Sequence, residues 1–509
     1  MDPAQEKKPT YALSRWLFLR MMGIVYLLAF ASFWPQIPGL IGRNGILPTE
    51  AFLQGLKVTA GALSYWLCPT LAWFNASDQF LQLLAAAGVC LALLVVLGVL
   101  TAPSLALLYV LYLSLVVVGR TFMQFQWDAL LLEAGFLSIF FPPWVILEPH
   151  WGRAKPGSQP PPSAIIRWLF WWLLFRVMFM SGAVKLLSGD PVWRDLTALS
   201  YHWYTQPLPT PLAWYVELLP MAFQKFCAAC TFVIELIAPW FIFAPGRFRL
   251  GAAALTIFLQ LLIAATGNYC FFNLLTVVLC LLLLDDRLVR RVLPGALARR
   301  IQEAVDPGRR PRLLHAAATT LAAVVIFASG TILAESFLGL NRVPAIVDAA
   351  AGVIAPFNIV NGYGLFAIMT TSRHEIVVEG SNDAESWSEY EFKYKPGDTR
   401  RVPPWVAPHQ PRLDWQMWFA ALSDFRQNPW FVNFMIRLLQ GAPDVLALLE
   451  KNPFPDKPPR YVRAMMYDYH FTDPSTRSKT GRWWRRELLG PYFPAISIEN
   501  SPAAPAKRQ

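Results

Sequence analysis

The chain has 509 residues, 55% of them hydrophobic and only 15% charged. Soluble domains carry roughly 25% charged residues, so the composition excludes an ordinary cytosolic protein and puts the apolar surplus into membrane spans. The net charge of +11, from 44 Lys+Arg against 33 Asp+Glu, belongs first to cytoplasmic loops in such a protein and not to nucleic-acid binding.

Apolar segments run near 16–34, 79–100, 102–119, 127–143, 164–187, 221–243, 248–266, 270–284 and 313–334, which predicts about nine spans. A crossing helix takes about 20 residues, with a range of about 17–25. The fourth segment (WDALLLEAGFLSIFFPP) and the eighth (FFNLLTVVLCLLLL) are short or polar and fit re-entrant helices as well. The first carries Arg20 and lacks a small-residue cleavage site, so it reads as a retained helix rather than a signal peptide.

Orientation follows from the short loops. Lys7, Lys8 and Arg15 precede the first span, and Arg153, Lys155 and Arg167 lie around the join of four and five. Arg247 and Arg249 mark the join of six and seven. Between eight and nine come Arg287, Arg290, Arg291, Arg299, Arg300, Arg309, Arg310 and Arg312. Nine crossings put all four clusters on one side, as the positive-inside rule requires; eight would split them. The N-terminus is then cytoplasmic, and everything after 335 is outside or lumenal. Asn75-Ala76-Ser77 is a glycosylation acceptor pattern on that outer side. The arginine-rich loop beside the membrane fits anionic lipid headgroups.

The composition changes after Glu335, giving a membrane domain over 1–334, a connector over 335–370 and a soluble outer domain over 371–509. Residues 343–357 are apolar but short and predict an interfacial helix. Strands are expected at 373–380, 390–395 and 461–471, where side chains alternate in character, and helices at 414–422 and 429–440, the second ended by Gly441. The fold class is therefore a polytopic α-helical bundle followed by an α+β domain, β-sandwich-like with helical insertions. All six cysteines precede residue 281, so no disulfide framework holds that domain. An aromatic core drawn from Trp405, Trp415, Trp418, Trp430, Trp483 and Trp484 is expected instead.

Charges inside spans cost about 2.5–3.5 kcal/mol each on insertion scales, which makes Asp128, Glu133, Arg176, Lys185 and Glu235 the residues to weigh. Lys185 closes the fifth span, with Asp195 and His202 following near the outer surface. A lysine partly removed from water can act as a base, with Asp195 or His202 as partner; a snorkelling helix-end lysine is the plainer reading. Cys227-Ala228-Ala229-Cys230 lacks a thioredoxin-like setting. The scattered histidines have no metal-site spacing, and no cofactor motif is present. No metal or cofactor is expected. Arg412, Asp414, Trp415 and Trp418 are the candidate client surface, because arginine and aromatic anchors dominate protein interfaces.

The strings LIGRNGILP (40–48), FQWDALLLEAGFL (125–137), WRDLTALSYHWYTQPLPTP (193–211), PHQPRLDWQMWFAAL (408–422), KNPFPDKPPRYVR (451–463) and GRWWRRELLGPYFP (481–494) occur in order. In these, over about residues 15–498, the chain resembles the lipase maturation factors. The resemblance implies a multi-span protein of the endoplasmic reticulum, not an enzyme, whose outer domain helps secreted lipases fold and assemble. The chain ends in SPAAPAKRQ without a KDEL-like signal, so the compartment stays open between that membrane and a bacterial inner membrane. A shorter likeness, SGAVKLL followed by a tryptophan and then His202-Trp203, is similar to the vitamin K-dependent γ-glutamyl carboxylase. It implies Lys185 as a base acting on a quinol or lipid-borne group.

Overall fold

The computed structural model describes residues 9–152, 155–306, 308, 312–339 and 344–498. Lys7, Lys8, Arg153, Arg309, Arg310 and the SPAAPAKRQ end lie outside these residues. Among the described residues seven helices are long and apolar enough to cross a membrane: Ala12–Ile41, Asp78–Leu97, Thr101–Phe122, Ala164–Leu187, Met221–Ile242, Arg247–Thr266 and Arg312–Leu338. The regular helices are α1 (Ala12–Phe33), α2 (Thr49–Ala60), α3 (Asp78–Leu97), α4 (Thr101–Gly119), α5 (Gln126–Ile139) and α6 (Ala164–Leu187). They continue as α7 (Ala198–Thr205), α8 (Met221–Phe232), α9 (Arg247–Thr266), α10 (Phe272–Cys280), α11 (Arg312–Leu338) and α12 (Ala345–Ile354).

The fourth and eighth apolar segments are the short helices α5 and α10, of 14 and 9 residues. Each is tied at both ends. Phe122, just before α5, accepts from the Arg412 guanidinium of the outer domain, while beyond α5 Glu148 binds Arg20 and Thr101. Before α10 the Tyr269 hydroxyl donates to Gln206. After it Leu284 accepts from Ser14, and Asp286 accepts from the first backbone N–H groups of α1.

Small residues let the helices approach, as packing between spans requires. A Cβ at Gly88 on α3 would sit 2.4 Å from the Phe30 ring of α1, and one at Gly182 on α6 would sit 2.9 Å from the Glu235 Cβ. Glu235 lies in a π-turn, Val233–Ile237, that continues α8. A single π-turn inside a helix frequently marks a functional position.

The C-terminal domain carries β1 (His374–Ser381), β2 (Ser388–Glu389), β3 (Glu391–Phe392), β4 (Leu449–Lys451), β5 (Tyr461–Phe471) and β6 (Trp484–Ile496). An antiparallel four-stranded sheet has the order β2-β1-β5-β6, and β3 and β4 form a separate two-stranded ribbon. Of the strand expected at 390–395 only β3 forms, with β2 lying just before it, and β6, which was not expected, completes the sheet. The helices are α13 (Arg412–Ala420) and α14 (Pro429–Leu439). Phe431, Phe434 and Leu438 of α14 are buried, as are Ile376 and Val378 of β1. Of the expected core tryptophans, Trp405 is 58% exposed and stands outside the core; the other five are buried. Helix α12 falls within the apolar stretch 343–357, of which residue 343 lies outside the described residues.

Candidate functional site at the bundle–domain junction

Asp128 sits in the first turn of α5, where the helix dipole favours a carboxylate. Facing it is Arg412, the first residue of α13, which follows Pro411. Its guanidinium grips the carboxylate with two nitrogens, Nη1 to Oδ2 at 2.5 Å and Nη2 to Oδ1 at 2.8 Å. The Tyr112 hydroxyl of α4 donates to Oδ1 at 2.5 Å. Both partners of the pair are about 1% exposed. A bidentate guanidinium–carboxylate pair supplies geometry as well as energy, so it fixes α13 against the bundle in one orientation.

Backbone contacts reinforce it. The Arg412 N–H donates to Gln36 Oε1, the Gln36 amide donates to the Gln410 carbonyl, and the Gln410 N–H donates to Ser32 Oγ. Asn268, between α9 and α10, accepts from the N–H groups of Val406 and Ala407 and donates to the Pro404 carbonyl. The segment 404–412 is thus fastened to the outer ends of several helices.

Glu133, one and a half turns along α5, is bound by Arg176 of α6, by the Asn361 N–H at 2.9 Å and by the Tyr363 hydroxyl at 2.8 Å. The connector is thereby pinned to the bundle. On the far side Arg373 donates to the carbonyls of Tyr204, Gln206 and Pro207 and to Glu375, which also pairs with Lys395 at 2.8 Å. Burial pulls the Arg373 guanidinium below its usual range, with Glu375 opposing.

Lys185 donates to Glu235 Oε2 at 2.6 Å and to the Ser181 carbonyl at 3.1 Å, and it lies over the Trp193 ring. Neither expected partner binds it. Asp195 is exposed. His202 lies against the Tyr269 hydroxyl at 3.3 Å and packs on Phe366. Burial and the nearby Lys185 charge push the His202 pKa down to about 4. The three residues expected to share a basic site form no hydrogen-bonded set.

The residues of the expected client surface are buried within the chain. Arg412, Asp414, Trp415 and Trp418 are all less than a tenth exposed. Asp414 accepts from the N–H groups of Tyr394 and Lys395, Trp415 packs on Trp127 at 4.7 Å, and Trp418 Nε1 donates to the Thr205 carbonyl. The chain's own membrane domain covers Arg412, Trp415 and Trp418, while Asp414 is satisfied within its own domain. Asn75 is exposed, just before α3. No group of three or more metal-ligating side chains occurs among the described residues.

Two family models match this chain in the order of its two regions. The lipase maturation factor transmembrane domain matches residues 13–291, and the lipase maturation factor C-terminal domain matches residues 359–494. The chain belongs to the lipase maturation factor family. It is 36% identical to lipase maturation factor 2 of Gallus gallus, over 95% of this chain and 81% of that protein. Lipase maturation factor 2 of Homo sapiens is also 36% identical, over 96% and 83%. Lipase maturation factor 1 of Bos taurus is 36% identical over 98% and 91%. No solved structure matches. Two of the strings that carry the family resemblance meet at the junction: FQWDALLLEAGFL supplies Asp128 and Glu133, and PHQPRLDWQMWFAAL supplies Arg412.

Proposed function

We propose that this chain is a membrane-anchored maturation factor that helps secreted lipases, or similar exported proteins, to fold and assemble. The carrying observation is family membership along nearly the whole chain, with both the transmembrane and the C-terminal models matched. The junction adds a physical role for the bundle. Buried ion pairs hold the outer domain against the membrane in a fixed pose, which suits a scaffold for a client. The rival, an intramembrane base at Lys185, loses support because that amine is committed to Glu235.

The chain crosses the membrane nine times in this proposal, with a cytoplasmic N-terminus and a lumenal outer domain in the endoplasmic reticulum. The 1–334, 335–370 and 371–509 division is kept. Support for nine comes from the tethered ends of α5 and α10, whose start and finish bind opposite ends of the bundle. All four basic clusters then share one side.

The test is secreted lipase activity in cells lacking their own maturation factor, complemented with the wild type or with Lys185→Ala. Equal restoration by both, corrected for expression, is the expected result. Restoration by the wild type alone, with the variant inserted and folded, overturns the scaffold reading in favour of a chemical step. Failure of both, with both inserted, overturns the lipase client.

A further inference from the structure

The charges Arg20, Asp128, Glu133, Arg176, Lys185 and Glu235 are all buried, and each has an opposite partner. Arg120 does not. It directly follows α4, where its backbone takes φ +46°. A non-glycine residue at positive φ is uncommon, and such strain clusters at binding sites. The guanidinium lies 4.6 Å from the Phe52 ring centroid, and its enclosed Nε has no hydrogen-bond partner. The ionisable neighbour that acts on it is the Cys68 thiol, not a carboxylate. Among the described residues no carboxylate forms an ion pair with it.

Arg120 lines a cavity of about 720 Å³, within the roughly 300–1,000 Å³ of small-molecule sites. The walls include Phe52 and Leu56 of α2, Leu67, and Val116 and Val117 of α4, and no Asp or Glu contributes. The cavity therefore has an apolar wall from α2 and α4, neutral amides at Gln124, Gln126, Asn358 and Asn361, and a single charge, Arg120, that its lining does not neutralise. Its surroundings belong at a membrane surface. Val58 of α2 is 87% exposed and Ile346 of α12 is 80% exposed, as expected of short helices that set an apolar face into the headgroup boundary. Trp66 bridges the two regions, donating to the Val353 carbonyl and packing on Phe357 at 4.9 Å. Tryptophan favours that interfacial depth.

We propose that this cavity binds an acyl chain bearing an anionic head, a carboxylate or a phosphate, with the head on Arg120 and the chain against the apolar walls. Guanidinium matches either head through paired N–H donors, and the aliphatic walls offer the chain the burial that water denies it. The bound molecule completes a charge pair that the protein leaves open. This rests on the membrane placement of the bundle and is independent of the lipase client.

The test uses the full chain, purified and placed in phosphatidylcholine nanodiscs. The probes are a photoactivatable fatty acid, the corresponding fatty alcohol, and a lysophosphatidic acid as unlabelled competitor. Peptide mapping is expected to place the carboxylate probe's crosslinks within 49–68 or 116–129, at least tenfold above those of the alcohol. Competition by lysophosphatidic acid but not by inorganic phosphate shows that head and chain are both required. Competition by inorganic phosphate alone assigns an anion site without a lipid and overturns the proposal. Arg120→Gln is expected to lower carboxylate crosslinking to the level of the alcohol, and Arg120→Lys to keep a substantial part of it. Should Arg120→Gln fail to fold, Leu56→Trp fills the cavity with the arginine intact and is expected to abolish the same crosslinks. Equal labelling by acid and alcohol, or crosslinks that survive Leu56→Trp, overturns the proposal.

Discussion

Two of the buried ion-paired regions in the membrane domain differ in where their partners come from. Lys185 on α6 is answered by Glu235, fifty residues on and still within the bundle. Asp128 on α5 is answered by Arg412, 284 residues on and in the outer domain, and Glu133 draws Asn361 and Tyr363 from the connector. The first arrangement closes a local helix contact. The second leaves the Asp128 charge to be answered by Arg412 of the C-terminal domain, while Glu133, already paired with Arg176 in the bundle, takes further hydrogen bonds from the connector. Folding of the two regions is coupled through α5, because a buried carboxylate without its partner is expensive.

Asp128→Ala breaks the comparison most severely. It strands the Arg412 guanidinium in a buried site, and removing one partner of a buried pair costs about 3–5 kcal/mol. Thermal unfolding in detergent is expected to drop accordingly, with the outer domain becoming protease-sensitive at a temperature where the bundle persists. The double variant Asp128→Leu with Arg412→Met is expected to recover much of the loss, since an apolar pair of similar volume is often neutral. Recovery of none of it would show that the orienting hydrogen bonds, not the uncompensated charge, dominate.

Lys185→Met is expected to cost about 3 kcal/mol by the same reasoning. Here the outer domain should keep its protease resistance, because none of its residues binds Lys185. Adding Glu235→Leu should restore stability to within about 1 kcal/mol of wild type, and lipase maturation should follow stability in both variants. Loss of protease resistance in Lys185→Met would erase the distinction between the regions.

Composition and apolar run length were enough to read the bundle, because a span must be long and apolar by itself. The short α5 and α10 were visible but ambiguous, since their ends are held by residues far away in the chain. The period-two alternation at 461–471 gave β5 to the residue. By contrast β6, with Gly490 and two prolines inside it, carries the signs of a broken segment; its pairing with β5 shifts register three times. At the candidate site every charge was legible as a cost, and none of the pairings was. Arg412 and its tryptophans looked like surface anchors because aromatic-rich amphipathic helices bury or bind with the same residues. Only the position of Asp128 decides between the two. Asn268 and Gln36 carried no signal, being single polar residues whose partners are backbone atoms.

A smaller effect is expected from acid. His202 is neutral in the folded chain, with its pKa pushed to about 4, against about 6.5 when unfolded. Between these values the unfolded state binds the proton and the folded state does not, so stability rises with pH. Its contribution is present above pH 6.5 and lost as pH falls through 4. The unfolding temperature of the wild type is expected to fall more steeply across that window than that of His202→Gln. Equal slopes would show that neither burial nor the Lys185 charge depresses the His202 pKa.

The smallest effect sharpens the comparison by holding the chemistry constant. Arg463 pairs with Glu379 across β5 and β1 at 2.6 Å, almost the separation of Arg412 and Asp128, but the Arg463 side chain is 31% exposed. Its guanidinium also lies over Trp387 at 4.0 Å. Water screens this pair and replaces its hydrogen bonds when one partner is lost, so Arg463→Ala is expected to cost about 0.2–1 kcal/mol. Chemical denaturation of the two alanine variants, Arg463→Ala and Arg412→Ala, measures the difference directly. The gap between their losses reports the burial of the junction pair together with the second carboxylate bond and the Phe122 contact that Arg412 alone makes. Losses of similar size would mean that the junction admits water, and that the outer domain is held by the packing of Trp415 and Trp418 in place of the ion pair.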